Sequence, residues 1–146
     1  MTTEMAGAVT PRSCSIARTL ELVGERWALL ALREVFLGVR RFDAIQRNTG
    51  APRDILSARL RKLLSAGLLE RRQYQERPAR FEYRLTEAGR DLLPVLLTLM
   101  DWGDKHLADG EPPLTYRHSC GADFKPVLVC EACGEPVARR DLTVSG

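Results

Sequence analysis

The chain has 146 residues, 45% of them hydrophobic and 28% charged, with a formal net charge of +3, which suits one compact domain with a real core plus an appendage. It contains no apolar run of membrane-spanning length, and its start, MTTEMAGAVTPR, lacks the basic and apolar segments of a secretory signal, so a cytoplasmic protein without a membrane partner is expected. Of the four cysteines, Cys14 is isolated and Cys120, Cys130 and Cys133 cluster near the other end; this is not a disulfide framework of a small secreted fold.

Residues 1–12 read as a loose arm, with no period and little bulk. A first helix spans Ser15 to Val23 with Ile16, Leu20 and Val23 on its buried side, and Gly24 closes it. A second, ERWALLALREVFLG, carries Trp27, Leu30, Ala31 and Val35 with the adjoining Leu29, Leu32 and Phe36, the wide apolar surface of a central helix. Gly38 ends it. A short third helix begins at Arg41, with Phe42 and Ile45 pointing inward, and Asn48-Thr49-Gly50 forms the turn after it. The fourth helix, Pro52 to Ala66, has an apolar stripe of Leu56, Leu60, Leu63 and Leu64 and stops at Gly67. Two short helices joined this way form a helix-turn-helix.

Past Gly67 the period changes from helical to alternating. Leu68 to Arg71 leads into one strand, and Phe81, Tyr83 and Leu85 alternate with Glu82 and Arg84 on a second, joined by a polar link at Glu76 to Arg80. Thr86 is the expected N-cap of a final helix running to Ala108, bent at Pro94 and more apolar than a single stripe requires, as in a helix that pairs with a second chain. Glu111-Pro112-Pro113 ends the helical part. The tail at 111–146 is too short for a core of its own and needs docking, a metal, or both.

Between Arg33 and Arg90 lie fourteen basic and seven acidic side chains, so the positive charge sits where the fourth helix and the hairpin sit. Such a field attracts polyanions. A helix fits the major groove of DNA and an arginine-bearing hairpin reaches the adjacent backbone or minor groove. Arg53, Ser57 and Arg61, at four-residue intervals, are the base-facing candidates; the plain alternative is a solvated helix face. Arg59 and Lys62 suit phosphate contacts or surface pairs. Arg77 and Arg80 at the hairpin tip suit phosphate or a narrow minor groove, or else a polar turn that touches no DNA, and Arg40 and Arg41 suit backbone contacts that position the domain.

The positive end of the first helix favours a thiolate at Cys14, and Arg12 and Arg18 act in the same direction; the alternative is a small core cysteine. In the tail, Cys130-Glu131-Ala132-Cys133-Gly134 has the spacing of a metal knuckle, and His118 with Cys120 would be the other half of a Zn²⁺ site, although their one-residue separation is tighter than usual. Reduced cysteines in a small hairpin, or a Cys120 disulfide, are the alternatives. There is no Gly-rich phosphate loop, His-Glu-x-x-His segment or nucleophile with an evident base, so no enzyme is expected.

As a set, CSIARTLELVGERWALLALRE (Cys14 to Glu34), RRFDAI (Arg40 to Ile45), PRDILSARLRKLLSAGLLERR (Pro52 to Arg72) and FEYRLTEAGRDLLPVL (Phe81 to Leu96) resemble the HxlR family of winged helix-turn-helix transcriptional regulators. The resemblance implies a mainly α fold with a small β-hairpin over residues 13–110. It implies a homodimer through the first and last helices, bound to an imperfect palindrome in double-stranded DNA and repressing or activating nearby genes, with Pro52 to Ala66 as recognition helix and Leu68 to Leu85 as wing. In family members that respond to oxidants or electrophiles a cysteine near the start of the first helix is the sensor, and Cys14 holds that position; it is followed by Ser15 where the family often has proline. A small-molecule or electrophile effector is therefore a further expected partner. The competing reading is a winged-helix protein-interaction module that does not bind DNA.

Overall fold

A computed structural model describes residues 11–107 and 109–145. Most of the expected arm at 1–12, and Ala108 at the expected end of the last helix, lie outside the described residues. The helices are α1 (Ser15–Val23), α2 (Arg26–Phe36), α3 (Phe42–Thr49), α4 (Arg53–Ser65), α5 (Glu87–Arg90) and α6 (Leu93–His106), with β1 (Leu69–Gln75) and β2 (Arg80–Leu85) between α4 and α5. The chain divides into two compact units, Met1–Asp91 and Leu92–Gly146.

In the first unit α2 is the central helix, in contact with α1, α3, α4 and β2. Ala28, Ala31, Leu32 and Val35 of α2 are buried together with Ile45 of α3 and Leu56, Leu60 and Leu63 of α4, the stripe that the helical period marks. Leu64 is half-buried at its margin. Gly50 and Gly67 end α3 and α4 at φ 75° and 77°, a region where a side chain would be strained and glycine is not. β1 and β2 pair antiparallel with Leu69 opposite Leu85 and Gln75 opposite Arg80, and an irregularity falls between Gln73 and Gln75.

Of the α1 face, only Val23 is buried; Ile16 and Leu20 are 72% and 55% exposed. The apolar period identifies a face that gains from being covered, but it does not say that the same unit covers it. Likewise the last helix is not one bent rod. Thr86 caps only α5, its Oγ1 accepting from Gly89 N–H at 3.1 Å, and the helix ends at Arg90 before a turn through Asp91 and Leu92. Pro94 then falls in the first turn of α6, where its missing N–H interrupts no helical bond.

Gly89 holds α5 against the hairpin. A Cβ at this position would stand 2.1 Å from the carbonyl oxygen of Leu68 and 3.1 Å from Leu85 Cδ2. Gly89→Ala is expected to destabilise the protein by about 2–3 kcal/mol, since backbone rather than a flexible side chain must yield. Urea unfolding measures this, and an unchanged midpoint would show that the approach of α5 to Leu68 is not tight.

In the second unit, none of the described residues reaches full burial. α6 exposes Leu93, Val95, Leu99 and Trp102, and an open apolar concavity of about 460 Å³ is lined by Pro94, Val95, Thr98, Leu99 and Trp102 together with Leu128 of the tail. No helix among the described residues is long and apolar enough to cross a membrane.

Candidate nucleic-acid interface

The turn between α3 and α4 is built by a chain of polar contacts. Thr49 Oγ1 donates to the Ile45 carbonyl at 2.8 Å and accepts from Ala51 N–H at 3.2 Å, while Gln46 Nε2 donates to the Ala51 carbonyl at 3.0 Å. Beneath it Glu34 of α2 is buried with both oxygens engaged: Oε1 accepts from Arg33 Nε at 3.0 Å and Oε2 from Asn48 Nδ2 at 2.9 Å. A buried carboxylate persists only with such partners. Through Asn48 it ties the end of α3 to α2 and so sets where α4 starts.

α4 is held from its rear by two basic residues. Arg59 Nε donates to Glu25 Oε2 at 2.7 Å, and Glu25 also caps α2 by accepting from Trp27 N–H at 3.1 Å. Burial pushes the Glu25 carboxyl up, but the hydrogen bonds from Arg59 and Trp27 outweigh it and hold the group below its ordinary value. Lys62 Nζ donates to the Glu21 carbonyl of α1. Both side chains thus pair within the unit.

The other α4 candidates differ among themselves. Arg53 is bound to Asp43 of α3 at 3.0 Å and lies over the Phe42 ring at 4.8 Å. Ser57 is half-buried. Arg61 is exposed, and among the described residues it hydrogen-bonds its own helix, Nε donating to the Ser57 carbonyl at 3.4 Å, so its fork of donors is available to a guanine edge.

The start of α3 meets the hairpin. Tyr83 N–H donates to the Arg40 carbonyl at 2.7 Å, and the Arg41 guanidinium lies over the Tyr74 ring at 4.3 Å. Glu82 sits below its ordinary pKa, first because Arg84 hydrogen-bonds it and then through the charges of Arg84, Arg40 and Arg41. Arg77 and Arg80 at the tip are exposed, and neither takes part in an ion pair among the described residues. The sequence pattern does not single out Arg47, exposed on α3, or Arg71, which lies over the Phe81 ring at 4.2 Å. Their one available signal was membership of the basic segment.

Cys14 is the N-cap of α1, exposed, its Sγ accepting from Ala17 N–H at 3.3 Å. Cys120, Cys130 and Cys133 are exposed free thiols, and no three His, Cys, Asp or Glu side chains among the described residues are grouped closely enough to share an ion. Backbone N–H groups of Cys133 and Ala132 lower the Cys130 thiol from its ordinary value.

A helix-turn-helix whose second helix leads into an arginine-bearing antiparallel hairpin defines a winged helix-turn-helix, a DNA-binding architecture. The family model for HxlR-like helix-turn-helix proteins matches residues 22–111, and the chain belongs to that family of transcriptional regulators; it is not an enzyme. An uncharacterized HTH-type transcriptional regulator of Mycobacterium tuberculosis is 53% identical across 88% of this chain and 83% of its own. Among solved structures, that of PA1607, described as a candidate transcription factor, matches with TM-score 0.80 and 33% identity over 91% of this chain and 94% of that one. The oxidized form of the redox regulator HypR matches at 0.57 with 30% identity, covering 65% of this chain and 99% of that one.

Proposed function

We propose that this regulator binds an imperfect palindromic operator as a homodimer and represses the adjoining genes, with α4 reading the major groove and the β1–β2 hairpin as the wing. The observation that carries the reading is a line of contacts through the first unit. Arg53 at the start of α4 holds Asp43 and Phe42, the neighbouring Arg41 stacks on Tyr74 of β1, and the Arg40 carbonyl bonds β2. Recognition helix, third helix and wing are thereby stitched into one basic surface, as a single duplex contact requires. The uncovered apolar faces, Ile16 and Leu20 on α1 and Val95, Leu99 and Trp102 on α6, are the surfaces a second copy would bury.

Cys14 adds a response to oxidants or electrophiles: its thiol is exposed at a helix start, where attack or oxidation is sterically open. Support comes from the likeness to HypR, a redox regulator with oxidized and reduced forms, and to the reduced form of the transcriptional regulator YodB of B. subtilis.

Genome-wide binding followed by titration of the recovered duplex tests the central claim. A two-fold symmetric site should bind a dimer, and the affinity should fall about a thousandfold or more between 50 and 200 mM salt if six or more phosphates are neutralised. Failure to shift any duplex at low salt would favour the protein-interaction module instead.

A further inference from the structure

Two turns in the second unit, His118-Ser119-Cys120-Gly121 and Cys130-Glu131-Ala132-Cys133-Gly134, have little sequence in common beyond Cys-Gly, yet the backbone treats them alike. In the first, His118 N–H donates to the Ala122 carbonyl at 2.9 Å, Gly121 N–H to His118 at 2.9 Å and Phe124 N–H to Tyr116 at 2.8 Å. In the second, Cys130 N–H donates to Glu135 at 2.9 Å, Gly134 N–H to Cys130 at 2.7 Å and Val137 N–H to Leu128 at 3.0 Å. A single antiparallel bridge closes each turn, Arg117 with Asp123 and Val129 with Pro136. Each also has its glycine at positive φ, 94° for Gly121 and 74° for Gly134. In this register His118 takes the place of Cys130, and Cys120 that of Cys133. The tight His-x-Cys spacing is thus the Cys-x-x-Cys turn with one residue removed from between its two ligands.

No fully buried apolar residue among those described in this unit accounts for so regular a backbone. None of the described residues of this unit reaches full burial, and Leu114, Val127, Leu128, Val129, Leu142 and Val144 are exposed. A segment below about 40 residues without a core is ordinarily held by a disulfide, a metal or a partner, and the three thiols here are free. As they stand, no three of these side chains are grouped closely enough to share an ion.

We propose that the two turns are the halves of one structural Zn²⁺ site, with His118, Cys120, Cys130 and Cys133 as a Cys₃His tetrahedron that draws them together. Three thiols release their protons to solvent as they bind the ion, and the imidazole binds as the neutral base. His118 Nδ1 accepts from Cys120 N–H at only 3.3 Å, so its lone pair faces its own turn, and this weak bond is the one the ion replaces. The role is structural, since all four positions are filled by protein and none is open to substrate.

The full-length protein, expressed with zinc in the medium and purified without chelator, should contain about one zinc per chain by elemental analysis. After removal of zinc, titration with Co²⁺ should give the visible bands of a tetrahedral ion and a thiolate-to-cobalt charge-transfer band, saturating near one equivalent. C133S should weaken the charge-transfer band, and H118A should shift the visible bands. The primary titration uses the unaltered chain, so a misfolded variant cannot imitate a negative result. Zinc far below one per chain together with absent cobalt bands would overturn the site, as would bands that both H118A and C120S leave unchanged. DNA binding by the first unit is measured separately and its failure would not touch this result.

Discussion

Leu60→Ala is expected to lower the unfolding free energy by about 2–5 kcal/mol, the range for truncating a fully buried leucine whose surroundings collapse only in part. Leu60 is 1% exposed and stands in the α4 stripe with Leu56 and Leu63, against a core that includes Leu32 of α2. Its side chain removes apolar area from water and also fixes how α4 lies on α2. Domains of this size are commonly stable by about 5–15 kcal/mol, so one methyl-rich side chain accounts for a large share. Denaturant unfolding reads the loss directly. Where the variant remains folded, its operator affinity should change by only a few fold, because the DNA-facing side is untouched. A loss below about 0.5 kcal/mol would mean that α4 is not packed through this stripe.

The neighbouring substitution should do the reverse. Arg61→Ala removes an exposed side chain whose hydrogen bonding among the described residues is a long bond to its own helix, so stability should stay within about 0.5 kcal/mol. Specific operator binding should weaken by about 1–3 kcal/mol, roughly five- to 150-fold, as expected for loss of a paired hydrogen bond to a base edge. Binding to a random duplex of equal length should change much less. Equal losses on both duplexes would make Arg61 a phosphate contact and leave base reading to Arg53, to Ser57 or to residues outside α4. One residue apart on the same helix, the two variants separate holding the reader from being the reader.

Much of the DNA-binding unit was legible because it depends on short-range physics. The four-residue spacing of Leu56, Leu60 and Leu64, with Leu63 beside them, marked the packed face of α4. Glycines at 50 and 67 marked where helices stop, and alternation from Phe81 to Leu85 marked a strand. Local pattern failed where a second element decides. The apolar face of α1 was recognised, but not that its own unit leaves Ile16 and Leu20 exposed. The excess apolar residues after Thr86 suggested one helix, whereas Gly89 against Leu68 belongs with a short α5 and Pro94 opens a new helix.

The sites divide in the same way. Which side chains could meet phosphate or base was readable from charge and period; which of them are occupied within the protein was not. Arg59 bonds Glu25 across 34 positions of sequence, and Arg41 meets Tyr74 across 33, so no window of neighbouring residues contains either pair. By itself the sequence determined the first four helices, the hairpin, the basic segment and the histidine and cysteines of the tail, because backbone preference and solvent partition act over a few residues. Only the tertiary structure decided that Arg59 and Lys62 brace α4 while Arg61 stands clear, and that His118 and Cys120 repeat the turn of Cys130 and Cys133, because hydrogen bonding acts through space between atoms whose separation along the chain carries no signal.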